Sequence, residues 1–109
     1  MDSQLTQPSA LLDLAQYQPG SVVSRVLFRN GGGTLTLFAF AEGEGLTQHT
    51  NSNDAVVHVL EGSVRIVCGG EEHDVHAGQS LHLPADVPHS LEGGPAFKML
   101  LTLLKRSPS

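Results

Sequence analysis

The sequence predicts an all-β protein, a barrel or sandwich of short strands, and three observations carry that expectation. Apolar residues alternate with period two over short runs. Gly and Pro turns separate these runs, with twelve glycines and six prolines among 109 residues. No stretch sustains a helical period of any length, and about eight or nine short strands result. The length suits one domain with one core, and 39% hydrophobic with 16% charged residues suits a folded chain.

Residues 1–19 form an N-terminal segment, polar and loose through Pro8. A short helix is expected over Ser9 to Gln16, started by Ser9 and ended before Pro19-Gly20. The barrel is expected over 20–105 and a tail over 106–109. Val22 to Arg29 reads as a half-exposed strand, with Val22, Val26 and Phe28 on one face and Arg25 and Arg29 on the other. After the Asn30-Gly-Gly-Gly33 turn, Thr34 to Ala41 carries apolar residues on both faces and is expected to lie inside a sheet. Ala55 to Leu60 and Ser63 to Cys68 form a hairpin across Glu61-Gly62. Glu71 to His76 has Val75 as its one apolar anchor; Gln79 to Leu83, His89 to Glu92 and Ala96 to Lys105 complete the strands, with a rigid turn at Pro84 to Pro88.

The net charge of −5, with only six Lys plus Arg, offers no basic stripe for a phosphate backbone, so nucleic acid is not expected as a partner. The longest apolar run, Met99 to Leu104, is far shorter than a membrane span and contains Thr102, so no membrane partner is expected either. A lone Cys68 and the lack of a signal-peptide pattern at the N-terminus favour a reducing, cytoplasmic location.

Two stretches carry a family signature. In Gly43 to Gly62, GEGLTQHTNSNDAVVHVLEG, the residues Gly43, His49 and Gly62 match the frame G-x5-H-x-H-x3-E-x6-G, with Asn51 at the second histidine and Ala55 at the glutamate. In Gly78 to Gly93, Gly78, Pro84 and His89 match G-x5-P-x-G-x2-H-x3-N, with Asp86 at the second glycine and Gly93 at the asparagine. The chain thus resembles the small single-domain cupins, with a degenerate first metal-binding motif, over roughly Gly20 to Leu104. The resemblance implies a cupin-type β-barrel, a double-stranded β-helix of jelly-roll form, whose two motifs bring metal ligands to the interior.

By strand parity His49, Asn51, Ala55, Val57 and Val59 share one face, which the resemblance places inward, while Asp54 and His58 look outward. A divalent metal usually takes about three protein ligands. Here His49 and His89 are the competent pair, with Asn51 a neutral amide candidate. The expectation is no cofactor, or a weakly bound divalent metal, with zinc, iron, manganese and nickel not distinguished. Exchange of a carboxylate for the Ala55 methyl favours instead an apolar pocket for a small-molecule ligand, lined by His49, Asn51, Ala55, Val57 and His89. The alternative is a metal-dependent dioxygenase or isomerase using His49, His89 and a nonstandard third ligand, Asn51 or Asp54; whether the chain is an enzyme stays open.

The remaining histidines carry less. His73 and His76 lie among acidic residues and read as solvated surface, His82 reads as interior or interface, and His58 as a subunit contact. Cys68 shares a face with Val64 and Ile66 and reads as a buried, inert thiol. The last strand is apolar on both faces, one more than a barrel interior satisfies, so a homodimer is expected.

Overall fold

The computed structural model describes residues 2–106, so of the expected tail only Arg106 falls within it and 107–109 lie outside the described residues. The strands are β1 (Asp2–Ser3), β2 (Val22–Asn30), β3 (Gly33–Phe40), β4 (Leu46–His49), β5 (Asp54–Glu61), β6 (Ser63–Cys68), β7 (Glu71–His76), β8 (Ser80–Leu83), β9 (His89–Glu92) and β10 (Phe97–Leu104). They form two antiparallel sheets, ordered β1-β2-β3-β10-β5-β8 and β4-β9-β6-β7. The sheets face each other around a shared core without joining into one closed ring, which is the jelly-roll form the sequence predicts.

Alternation sets which residues enter that core. In β5, Ala55, Val57 and Val59 are buried in turn, and β6 repeats the pattern with Val64 and Ile66. Val57, Val59, Ile66, Phe40 and Phe97 have no exposed surface, and the last two rings stack at 4.5 Å. Burying each such side chain contributes about 1.5–3 kcal/mol. β3 and β10 break the alternation, with Ala39 and Phe40 both buried in one and Phe97, Lys98 and Met99 all buried in the other. Both strands are interior to the six-stranded sheet, and their outward Ala39 and Lys98 are covered by residues packed on that sheet's other side.

Part of the second face is covered by the N-terminal segment, for which the sequence predicts a loose stretch through Pro8 and a short helix over Ser9 to Gln16. Asp2 and Ser3 pair with β2, and only Leu11–Asp13 forms a turn of 3-10 helix. Ala15, Leu27, Leu37 and Ala39 form a second buried cluster, flanked by Leu5, Leu11, Leu14, Tyr17 and Leu100. The chain itself thus covers the outward face of β10 at Lys98 and Leu100, while Leu104 on the same face is 50% exposed. The Lys98 side chain is buried, donates from Nζ to the Leu12 carbonyl at 2.7 Å and lies 5.0 Å from the Tyr17 ring centroid. The Tyr17 hydroxyl donates to Glu61 Oε2 at 2.6 Å; burial first, then this bond and the Glu61 charge, hold the phenol far above its ordinary titration range.

One face assignment in β2 changes. The β2–β3 register shifts between Val26 and Phe28, a bulge that sends Leu27 into the second cluster and leaves Val26 37% exposed. The uneven alternation of this stretch is the trace of that inserted residue.

Two turn positions fix the motif loops. Gly62 has φ +77°, and a Cβ there would collide with the Ala96 carbonyl oxygen. Asp86 stands at the family's glycine position and holds φ 64°, the left-handed region that Asp tolerates better than most side chains.

Replacing Lys98 by Ala is expected to lower unfolding free energy by about 2–3 kcal/mol, through the lost charged hydrogen bond and the buried stem. Hydrogen exchange should accelerate first at the amides of residues 4–17; unchanged protection there would show that Lys98 does not anchor the segment. Asp86→Gly is expected to stay within about 0.5 kcal/mol of the parent, whereas Asp86→Val should lose about 1–2 kcal/mol from a β-branched residue at positive φ. Urea melts of the two variants compare them directly.

Candidate functional site

His49 closes β4 and His89 opens β9, and the two are ladder partners. Their rings meet edge to face, with centroids 4.4 Å apart and planes at 68°. His49 is exposed, whereas His89 is only 6% exposed. This end of the barrel also holds the loop from Asn51 to Asn53, the start of β5 at Ala55, and the end of β8 at Leu83. The pair therefore stands at the mouth, one imidazole at the rim and the other against the core.

Hydrogen bonds settle the tautomers. His49 Nδ1 donates to the Thr47 carbonyl at 2.9 Å, and His89 Nδ1 donates to the Val87 carbonyl at 3.3 Å. A carbonyl only accepts, so each Nδ1 carries the proton and each neutral ring presents its lone pair at Nε2. No buried side-chain nitrogen or oxygen is left unpartnered among the described residues, so His89 Nε2, which has no hydrogen-bond partner there, keeps some solvent-accessible surface. Burial first, then the charge of His49, pull the His89 titration below its ordinary 6.5, against the raising effect of the Val87 bond.

The other predicted lining residues divide. Ala55 is 3% exposed and Val57 has no exposed surface, so no water-sized space touches Val57. Val57 belongs to the packed core and is not a pocket wall; Leu101 and Leu103, partly buried, lie on the same face of β10. Asn51 accepts the Asn53 N–H on its side-chain oxygen at 2.8 Å, closing an Asx turn, while its carbonyl accepts from the Asp86 N–H at 2.8 Å. The amide oxygen weighed as a metal ligand is thus committed to the loop.

Asp54 does not replace the missing carboxylate. Its Oδ1 accepts from His82 Nε2 and from the Ala85 N–H, both at 3.0 Å, on the outer side of the ladder. Those two bonds, the His82 one first, lower its titration. His82 is 57% exposed in its side chain and lies outside the barrel interior. Two of the four family positions hold imidazoles, and among the described residues no three His, Cys, Asp or Glu side chains converge as a metal-holding group. The residues present do not fit the standard cupin metal.

Other predicted residues fall as follows. His58 Nδ1 and the Ser80 hydroxyl share a 2.7 Å bond on the outer face. His76 is exposed, but His73 is half-buried opposite Ile66, because its parity follows that of Val75. Cys68 is half-buried, and burial, then the Glu71 charge, raise its thiol, so it stays protonated at neutral pH. Sequence reasoning missed that Cys68 is the ladder partner of His89. β6 and β9 are distant in sequence, and only the sheet order makes them neighbours.

Two facing antiparallel sheets with a pair of imidazoles at one mouth define a small cupin-type barrel. The chain belongs to the cupin family: residues 36–101 match the cupin domain. It is similar to a conserved protein of unknown function from Streptococcus pyogenes, at 27% identity and TM-score 0.89 over 99% of this chain and 98% of that one. It is also similar to a cupin superfamily protein from Desulfitobacterium hafniense, at 25% identity and TM-score 0.88 over 97% of each chain. A cupin 2 conserved barrel domain protein from Leptotrichia buccalis is 37% identical with TM-score 0.82, over 86% of this chain and 46% of that one. No curated protein matches the chain. Among the described residues no helix is long and apolar enough to cross a membrane.

The lowered His89 titration has a stability consequence with a definite sign. The unfolded chain takes up this proton more readily than the folded one, so stability contributed by neutral His89 is present above the ordinary value of 6.5 and is lost as pH falls below it toward the folded value. Urea melts across that window are expected to show falling stability on acidification. In His89→Gln this part of the slope should vanish, and an unchanged slope would assign it to other groups.

Proposed function

We propose that this cupin binds a small organic molecule at the barrel mouth, without a standard metal, through the Nε2 atoms of His49 and His89. The carrying observation is His89: a side chain 6% exposed, its Nδ1 committed to Val87 and its Nε2 offered to the mouth. Such a nitrogen accepts a hydrogen bond from a ligand hydroxyl, amide or acid. Ala55, Leu101 and Leu103, on the core-facing side of the other sheet, are apolar, which suits a ligand with an apolar body and few polar groups. The two imidazoles support ligand recognition and leave proton transfer to the ligand as a further use of the same lone pairs.

The same Nδ1-protonated tautomers also suit metal-bound imidazoles, and this favours a second reading, a metal-dependent enzyme with a nonstandard third ligand. Elemental analysis of protein purified without added metal separates the two. The expected result is substoichiometric metal, unchanged in His49→Ala and His89→Ala. In parallel, histidine ring resonances followed by NMR against a library of small alcohols and acids are expected to move at His49 and His89 together, and to stop moving in His89→Ala. Stoichiometric metal that depends on both histidines, or responses confined to surfaces away from the mouth, would overturn the proposal.

A further inference from the structure

The chain has six Lys and Arg residues against eleven Asp and Glu, so the placement of each cation is informative. Four are tied to protein acceptors among the described residues. Arg25 donates to the Leu14 carbonyl and Gln4, Arg65 pairs with Asp74, Lys98 donates to the Leu12 carbonyl, and Arg106 pairs with Asp86. The other two, Arg29 and Lys105, line one hollow of about 160 Å³ together with Asn30, Thr34, Asn53 and Leu103. A strongly acidic chain thus sets two of its few cations in one small space with hydroxyl and amide donors.

The ladder register places this hollow at the barrel mouth. Arg29 is opposite Thr34, Thr34 is opposite Leu103, and Leu103 is opposite Ala55. Directly opposed residues project to the same side of a sheet, and Ala55 and Leu103 project to the barrel core. Arg29 and Thr34 therefore stand on the barrel-facing side of the six-stranded sheet, where Arg29 has Asp2 of β1 as its other ladder neighbour. Asn53 belongs to the loop that leads from His49 into β5. The His49–His89 pair belongs to the facing sheet, and packed sheets ordinarily lie roughly 10 Å apart.

We propose that the ligand of the barrel mouth is an organic monocarboxylate, its carboxylate held by Arg29 and Lys105 and its far end reaching the His49–His89 pair. This rests on the barrel-mouth reading above and adds the ligand's charge and length. The guanidinium fork matches a carboxylate, Lys105 adds a second positive charge, and the Thr34 hydroxyl and Asn53 amide supply neutral donors. Half-buried Leu103 provides the apolar wall beside the two cations. The net charge of −5 repels anions at long range and does so more strongly for a phosphate dianion, which favours a single carboxylate.

Octanoate, octan-1-ol and octylammonium share one apolar body of about the sheet spacing, roughly 10 Å, and differ in the charged end. Calorimetric titration at low ionic strength is expected to rank octanoate about tenfold or more above the other two. Arg29→Gln and Lys105→Gln, both at exposed positions, should each weaken octanoate about fivefold and leave octanol unchanged. Thermal melts confirm that both variants are folded. Histidine ring NMR supplies the independent readout, with His49 and His89 resonances expected to move for octanoate and octanol alike. Equal affinities for the three probes with those resonances moving, or octanoate binding unchanged in both variants, would overturn the carboxylate assignment and leave the barrel-mouth reading standing. No response of either histidine to any probe would overturn both.

Discussion

The fold depends on burying both faces of β10. This strand lies between β3 and β5, and its inward residues Phe97 and Met99 close the barrel while its outward Lys98 and Leu100 lie under residues from the N-terminal segment. Apolar burial is the main favourable term for so small a domain, and a strand apolar on both faces left half uncovered would forfeit much of it. The chain meets the requirement at Lys98 and Leu100 with its own first residues, which the buried Lys98 ammonium tethers through the Leu12 carbonyl. A sheet so supported holds β5 and β3 rigidly, and both frame the mouth.

A packed interior confines the chemistry to the rim. Phe40, Phe97, Ile66 and Val57 leave no water-sized space around themselves, so the proposed ligand is confined to the rim, where Leu101 and Leu103 are half-buried and His49 is exposed. Charge follows the same division. A divalent ion set beside His89 would lack the carboxylate that Ala55 displaced, and uncompensated charge in an apolar surround is costly. Neutral imidazoles carry no such penalty, and the burial that holds His89 neutral is the burial that shapes the site. The cations Arg29 and Lys105 are exposed, where solvation offsets their charge.

What the sequence disclosed follows from how local each signal is. The frame of Gly43, His49, Gly62, Gly78, Pro84 and His89 is a matter of turns and spacing, so fold and histidine pair were both legible. Asp86 read as a departure from the family, yet its backbone takes the left-handed conformation that the glycine would have taken, so the loop geometry survives the exchange. Parity correctly put Asp54 outside, and its bonds to His82 and Ala85 give the reason it stays there. Three features lay beyond local reading. The bulge at Leu27 changes a face by one inserted residue, the N-terminal segment is ordered only by the sheet beneath it, and Cys68 meets His89 only through the order of the strands. Val57 was assigned to a pocket because parity specifies a direction and carries no information about how full the interior is.

The two ends of the proposed site are linked by electrostatics. His89 is held neutral by burial and by the neighbouring His49, and a charge on one imidazole of such a pair disfavours a second charge on the other. An anion drawn to Arg29 and Lys105 adds negative potential to the same mouth, which shifts the balance toward an imidazolium. By linkage, protonation of the pair then strengthens anion binding by the same factor. The replacement of a glutamate by Ala55 makes this coupling effective, because a resident carboxylate would already have set the charge of the pair and left an incoming one little to change. On the proposed reading, a mouth with two imidazoles and two rim cations, and with Ala55 at the family's glutamate position, would respond to the charge of what enters it.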